Sequence, residues 1–353
     1  MNILITGIHG FVGSNLVKAL KTQHTIYGLD IITPIKEGVE ITFLWNEFHE
    51  IPAVDVIIHL AGKAHDTKNQ TNAQVYFDIN TGLTQKIYDW FLESNATKFI
   101  FFSSVKAAAD KVEGEILTED VTPTPVGPYG ESKIAAENYI LSRESGVGSE
   151  ELEGNSQILT EHNQLPTTNY KLPTTNYQLP TTNYLLKKTY ILRPCMIHGP
   201  GNKGNLNLLY NVVKKGIPYP LGAFENRRSF CSVDNLSFII NELIEKDIES
   251  GIYNVGDDES LSTNELMALM YKAMGKPNRI WNWNKSVIQS VAKIGSIVHL
   301  PLNTERLQKL TENYVVSNTK IKRALGIERM PVTASDGFVK TIKSFGGGGY
   351  RGH

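Results

Sequence analysis

The residues Asn2-Ile3-Leu4-Ile5-Thr6-Gly7-Ile8-His9-Gly10-Phe11-Val12-Gly13 decide the architecture. Residues 2–6 are an apolar run of strand length, and residues 14–22 continue with Leu16, Val17 and Leu20 at helical spacing. Gly7, Gly10 and Gly13 punctuate the turn between them. The first permits a tight reversal, the second lets phosphates approach the backbone, and the third lets the helix pack closely on the strand. Phe11 and Val12 lie where unpaired backbone N–H groups and the positive end of the helix dipole would favour an anion. Glycine spacing alone says little; the strand before it and the helix after it make it specific.

Working outward, residues 25–29 form a second apolar run that closes on Asp30, and residues 55–60 (DVIIHL) and 98–104 (KFIFFSS) form two more. Residues 80–94 have helical periodicity between them. Strands separated by helices require parallel crossovers, so the fold class is α/β, a Rossmann-type doubly wound parallel sheet. Residues 189–193 and 251–255 extend that sheet. The more irregular residues 196–229 and 259–345 are assigned to a smaller C-terminal substrate lobe. That leaves 1–195 and 230–258 as the dinucleotide-binding domain and 346–353 as a glycine-rich tail. Within the lobe, Val287, Val291, Ile294 and Val298 recur at helical spacing. They predict a helix laid on the core rather than a membrane contact, and Lys293, Gly295 and His299 interrupt any span.

One segment breaks the pattern. The hexad LPTTNY occurs at 165–170, 172–177 and 179–184, after a Gly-, Ser-, Glu- and Asn-rich stretch. A proline and a single aliphatic residue per copy exclude a continuous helix or a buried seam, so 145–186 reads as a mobile surface insertion.

The chain has 353 residues, a net charge of −1, 41% hydrophobic and 20% charged residues. No global field favours nucleic acid or an acidic membrane surface. Cys195 and Cys231 have neither metal-ligand spacing nor the makings of a disulfide framework. The expectation is a cytoplasmic protein with no metal, no nucleic-acid partner and no membrane partner. The N-terminus lacks the basic region of an export signal.

At the end of the second strand, Asp30 is placed to accept hydrogen bonds from a ribose diol. Its charge repels a 2′-phosphate and no arginine stands beside it in sequence, which favours NAD. The second strong pattern is Tyr129-Gly130-Glu131-Ser132-Lys133. Tyrosine and lysine four apart share a helix face, and a nearby ammonium would lower the phenol pKa from its usual value of about 10. Tyr129 could then exchange a proton with a substrate hydroxyl, while Ser104 holds the same oxygen. Ser103 is the lesser choice and could point away.

Gly7, Gly10, Gly13, Asp30, the run DVIIHLAG at 55–62, Asn80, Ser104, Tyr129 and Lys133 together resemble the extended short-chain dehydrogenase/reductase family. More narrowly they resemble its nucleotide-sugar epimerase/dehydratase branch. The resemblance implies that His59, Leu60, Ala61 and Gly62 line the cofactor and that Asn80 lies near the active site, with Tyr129 and Lys133 touching the cofactor too. It implies a nucleotide-sugar substrate, and a homodimer through helices flanking the sheet. Residues 192–201 (LRPCMIHGPG) are similar to a segment of that branch in which tyrosine is common where His198 stands. Residues 226–230 (NRRSF) resemble the segment that brings an arginine to the substrate diphosphate, which points to Arg228; Lys203 and Asn205 are weaker candidates.

The resemblance also orders the reactions. A 4,6-dehydratase of the branch would carry an Asp-Glu pair after the catalytic Ser or Thr, and here Ser104 is followed by Val105-Lys106-Ala107 with no carboxylate before Asp110. A 4-epimerase and a 4-keto reductase use the same residues, so the two stay open, with the epimerase preferred and surface-polysaccharide precursors the expected context. The remote alternative is a non-catalytic NAD-binding regulator.

Overall fold

In the computed structural model, residues 1–63, 72–145, 187–202, 205–297 and 303–346 are described. The repeat insertion, beyond Ser145, and the tail, beyond Gly346, lie outside them.

Strand β1 (Asn2–Thr6) pairs in parallel with β2 (Thr25–Asp30) on one side and β4 (Val56–His59) on the other. With β3 (Ile41–Leu44), β5 (Lys98–Phe102), β6 (Lys188–Pro194) and β9 (Gly251–Val255), the order is β3-β2-β1-β4-β5-β6-β9, parallel throughout. The order reverses between β1 and β4, and a doubly wound sheet opens its ligand crevice at that reversal, beyond the strand carboxyl ends. The central strands are apolar without alternation because both faces are covered: Ile3, Leu4, Ile5, Ile57, Ile58 and Phe99 are all buried.

Helix α1 (Phe11–Leu20) covers one face through Leu16, Val17 and Leu20. The other face is covered by α3 (Leu83–Glu93), which follows the short α2 (Ala73–Tyr76) and a π-helical stretch Phe77–Gly82. Beside it, after the one-turn α4 (Val105–Ala108), lies α5 (Gly127–Glu144), burying Ala136 and Ile140. Helix α1 begins at Phe11 rather than near residue 14, because Gly10 already serves as its N-cap. The sequence reading missed β3, a four-residue edge strand with only Phe43 buried.

Residues read as irregular are largely helical: α6 (Asn205–Lys214), α8 (Thr263–Ala273), α9 (Lys285–Ile297), α10 (Thr304–Thr311), α11 (Thr319–Leu325) and α12 (Ala334–Gly346). Helix α7 (Val233–Glu245) instead packs under the sheet on the α1 side. A small parallel pair, β7 (Met196–His198) with β8 (Phe230–Ser232), leads into the helical part, whose own core runs from Leu206 to Ile342.

The α9 expectation is corrected in one respect. The helix exists, but Val287, Val291 and Ile294 face outward, and Ile288 and Ala292 are the residues it buries; Val298 lies outside the described residues. Among the described residues no helix is long and apolar enough to cross a membrane, and no group of three or more His, Cys, Asp or Glu could hold a metal.

Candidate active site

The glycine turn is tight enough to exclude side chains. Gly7 adopts φ +68°, and a Cβ there would lie 2.9 Å from the Ala61 nitrogen. A Cβ on Gly13 would lie 2.7 Å from the carbonyl oxygens of Gly7 and Ile8, so α1 is pressed directly on the turn. No side chain caps the α1 N-terminus and its first turn has no acid, which leaves backbone N–H groups facing the crevice. Asn15 at the same end donates to the Pro200 carbonyl (3.0 Å), tying α1 to the loop after β7.

At the mouth of the turn the Asp30 carboxylate accepts the N–H groups of His9 (2.9 Å) and Ile31 (2.8 Å). Lys36, from the β2–β3 connection, donates to the Ser14 hydroxyl (2.8 Å) and is near enough to Asp30 for that charge to oppose the lowering of its pKa by burial. Sequence reading found no arginine beside Asp30, but the fold supplies this lysine.

Under the turn, Thr6 Oγ1 accepts the Ala61 N–H (2.9 Å) and meets His59 Nδ1 at 2.7 Å. His59 Nε2 meets Thr84 Oγ1 at 2.9 Å, and Thr84 in turn donates to the Asn80 carbonyl (2.6 Å). Thr84's proton is therefore spent on Asn80, so His59 carries its own proton on Nε2 and accepts from Thr6 at Nδ1. Burial first, and the Lys133 charge second, hold the imidazole down at about 3, so it stays neutral. The ring is fully buried with both nitrogens engaged, which corrects the expectation that His59 lines the cofactor. It braces the Leu60-Ala61-Gly62 backbone.

Helix α5 carries the central group. Tyr129 shares a hydrogen bond with Ser104, the N-cap of α4. Lys133 Nζ donates to the Phe102 carbonyl at 2.8 Å. A Cβ on Gly62 would lie 2.8 Å from Asn80 Oδ1 and 3.2 Å from Lys133 Nζ, so the 60–62 loop, Asn80 and Lys133 converge on one point. Asn80 itself accepts the Lys63 N–H (2.7 Å) and donates to Ser132 (2.9 Å), joining that loop to α5. Part of the Tyr129 ring stays accessible, but its phenol is enclosed: burial pushes its pKa up and the Ser104 hydrogen bond pulls it back. The expected lowering by Lys133 is thus not the leading effect here, since that ammonium is directed at Phe102. Burial lowers the Lys133 ammonium to about 8, against the opposing charge of Glu137.

Several participants escaped sequence reading. Glu137, one turn beyond Lys133, receives the Arg193 guanidinium and the Ser103 hydroxyl, which shows why Ser103 turns away from Tyr129. Tyr76 of α2 meets the Tyr129 ring edge-on at 6.4 Å.

Towards the helical part, the Arg228 backbone exchanges hydrogen bonds with Leu261 (3.0 and 2.9 Å) and runs beside Tyr314. The Tyr314 hydroxyl donates to the carbonyls of Ala109 (2.6 Å) and Val105 (3.2 Å), which joins the Arg228 segment to the turn that starts at Ser104. Burial lowers the Arg228 pKa, with Glu312 opposing it. Its neighbour Arg227 is exposed and donates to the Ser260 carbonyl (3.1 Å). His198 does not reach the site. It stacks on Phe338 at 3.9 Å and bonds Thr341 inside the core. Asn205 is the first residue of α6; its side chain and Lys203 lie outside the described residues.

Residues 3–150 match the model of the NAD dependent epimerase/dehydratase family. A UDP-glucose 4-epimerase of Vibrio cholerae is 27% identical over 98% of this chain and 95% of its own length. The N-acetyl-alpha-D-glucosaminyl-diphospho-ditrans,octacis-undecaprenol 4-epimerase of Escherichia coli O157:H7 is 24% identical over 96% and 90%. A solved UDP-glucose 4-epimerase from Thermotoga maritima, with UDP-glucose, superposes with a TM-score of 0.67 at 19% identity, covering 98% of both chains; that likeness speaks to the fold.

Proposed function

Residues 3–150 of the chain belong to the NAD dependent epimerase/dehydratase family, so the protein is an NAD-dependent enzyme, and we propose that it is a 4-epimerase of a UDP- or dTDP-sugar. The observation that carries this reading is the Tyr129–Ser104 hydrogen bond, beside Lys133, Asn80 and Gly62 at the crevice edge of the sheet. The glycine turn that a Cβ would fill, the uncapped α1 N-terminus and the Asp30 carboxylate fit a dinucleotide's pyrophosphate and ribose.

NAD, held by the Gly7/Gly10/Gly13 turn and Asp30, would supply a reversible hydride acceptor for the sugar C4. Around it the protein's own groups handle the proton and the geometry. Ser104 holds the sugar O4, and Tyr129 takes its proton on oxidation and gives it back on reduction, with Lys133 one turn along α5 held on the Phe102 carbonyl. Arg228 grips the diphosphate in bidentate fashion, with Asn205 beside the nucleotide. The relatives named above act on a UDP-sugar and on a lipid diphospho-sugar, which share a sugar carried on a diphosphate. Dehydration fits poorly, since Asp110, the first carboxylate after Ser104, is paired with Lys106 at 2.9 Å. A homodimer, a cytoplasmic setting and a role in surface-polysaccharide precursors belong to the same proposal.

The test is to purify the protein without added cofactor, assay it for bound nicotinamide, and offer it UDP- and dTDP-hexoses. Retained cofactor with exchange of C4 epimers supports the epimerase. Cofactor-free protein that consumes NADH only with a 4-keto sugar would replace it with the reductase.

A further inference from the structure

The outward face of α9 and the segment before it carry five exposed large apolar side chains. Val287, Val291 and Ile294 line one stripe of the helix at 51%, 39% and 57% exposure. Just before it, Trp281 and Trp283 stack at 6.4 Å with their planes 20° apart, at 47% and 46% exposure. Ile288 and Ala292 pack α9 into the helical core, and the Trp281 N–H donates to the Tyr219 carbonyl at 2.8 Å. Between Glu265 and Glu305 the chain has Lys272, Lys276, Arg279, Lys285 and Lys293 and no aspartate or glutamate, although the whole chain has a net charge of −1. Arg279 and Lys276 spend hydrogen bonds on the carbonyls of Gly216 and Lys214, which brings Lys214 and Lys215 beside the same segment.

We propose that Trp281, Trp283 and the Val287/Val291/Ile294 stripe of α9 form a docking face for an anionic lipid surface. Tryptophan favours the headgroup level, branched aliphatics enter the acyl boundary, and flanking lysines meet anionic headgroups. A second copy of this chain fits less well, because a two-fold contact would set Lys285 and Lys293 against their own like charges. A nucleic-acid backbone would satisfy the lysines but leave the aliphatic stripe uncovered. The proposal stands apart from the reaction assigned above and departs from the expectation of no membrane partner.

The test is co-sedimentation of the full chain with vesicles of phosphatidylcholine and phosphatidylglycerol in equal parts, against phosphatidylcholine alone. The expected result is binding to the anionic vesicles on the order of tenfold above the neutral ones, weakened by salt. Two variants, Trp281→Ser with Trp283→Ser, and Lys285→Glu with Lys293→Glu, should each lose about tenfold in binding while melting and NAD affinity stay at parental values. No binding to the anionic vesicles, or binding at the parental level by either variant, overturns the proposal. So does parental self-association, seen by light scattering, that the tryptophan variant abolishes, since the face would then belong to a second copy.

Discussion

The Glu137 carboxylate is bound by two nitrogens of Arg193, Nε at 3.0 Å and Nη2 at 2.5 Å, with both side chains buried. Glu137 follows Tyr129 and Lys133 on the same face of α5, and Arg193 lies on β6, so the pair fixes α5 to the sheet. A buried ion pair that loses one partner strands the other, at a cost of about 3–5 kcal/mol. Glu137→Ala should therefore lower the Tm by on the order of 10 °C. The double change Glu137→Leu with Arg193→Met should recover much of that loss, because an apolar pair leaves no buried charge. Melting of Glu137→Ala at the parental temperature would contradict the clamp.

Tyr129→Phe removes the hydroxyl proposed to move the proton while leaving the ring against Tyr76. Turnover should fall roughly 10²- to 10⁴-fold with NAD affinity nearly unchanged. Ser104→Ala should fall less far, since Tyr129 keeps its proton. Near-parental turnover in Tyr129→Phe would remove it from the reaction.

Asp30→Ala should weaken NAD by roughly 10- to 100-fold, through lost charged hydrogen bonds, and weaken NADP much less because the repulsion of its 2′-phosphate goes too. Lys36 gives this prediction a second arm. Adding Lys36→Ala to Asp30→Ala should cut NADP affinity more than NAD affinity. A parent enzyme that already prefers NADP would contradict the role of Asp30.

His59 makes acid stability testable. Its ordinary value of 6.5 falls to about 3 on folding, so between the two the unfolded chain binds a proton that the folded chain refuses. Stability therefore declines as the pH drops below 6.5 towards 3. Removing the imidazole with His59→Asn should flatten the stability slope between pH ~6.5 and ~4.5, by at most about 1.4 kcal/mol per pH unit. Identical slopes in the two proteins would show that His59 is not the group refusing the proton.

How much could be read beforehand follows from the range of the interactions. Strands β1, β4 and β5 were visible because parallel strands covered on both faces are apolar without interruption, and the glycine turn and the Tyr129/Lys133 pair are encoded within a few residues. Edge strand β3 has one buried side chain and left no such trace. In α9 two stripes have helical spacing, and the larger Val287, Val291 and Ile294 suggested the inward one. The fold instead turns Ile288 and Ala292 inward, where alanine lets the helix approach closely, and periodicity alone cannot orient such a helix. Arg193 with Glu137, and Tyr314 with the Ser104 turn, are partners far apart in the chain, and Lys36 reaches back to Asp30 from a connection that has neither helical nor strand spacing. Only the folded chain brings them together.

The central claim, that one enzyme removes and returns the same hydride at C4, is tested most directly with a UDP-sugar carrying deuterium at C4. With no cofactor added, the product should be the C4 epimer with its deuterium retained at C4, measured by mass spectrometry and NMR, and Tyr129→Phe should slow its formation by roughly 10²- to 10⁴-fold. Product that forms only when NADH is supplied, with the hydrogen at C4 drawn from the added cofactor, would contradict the claim.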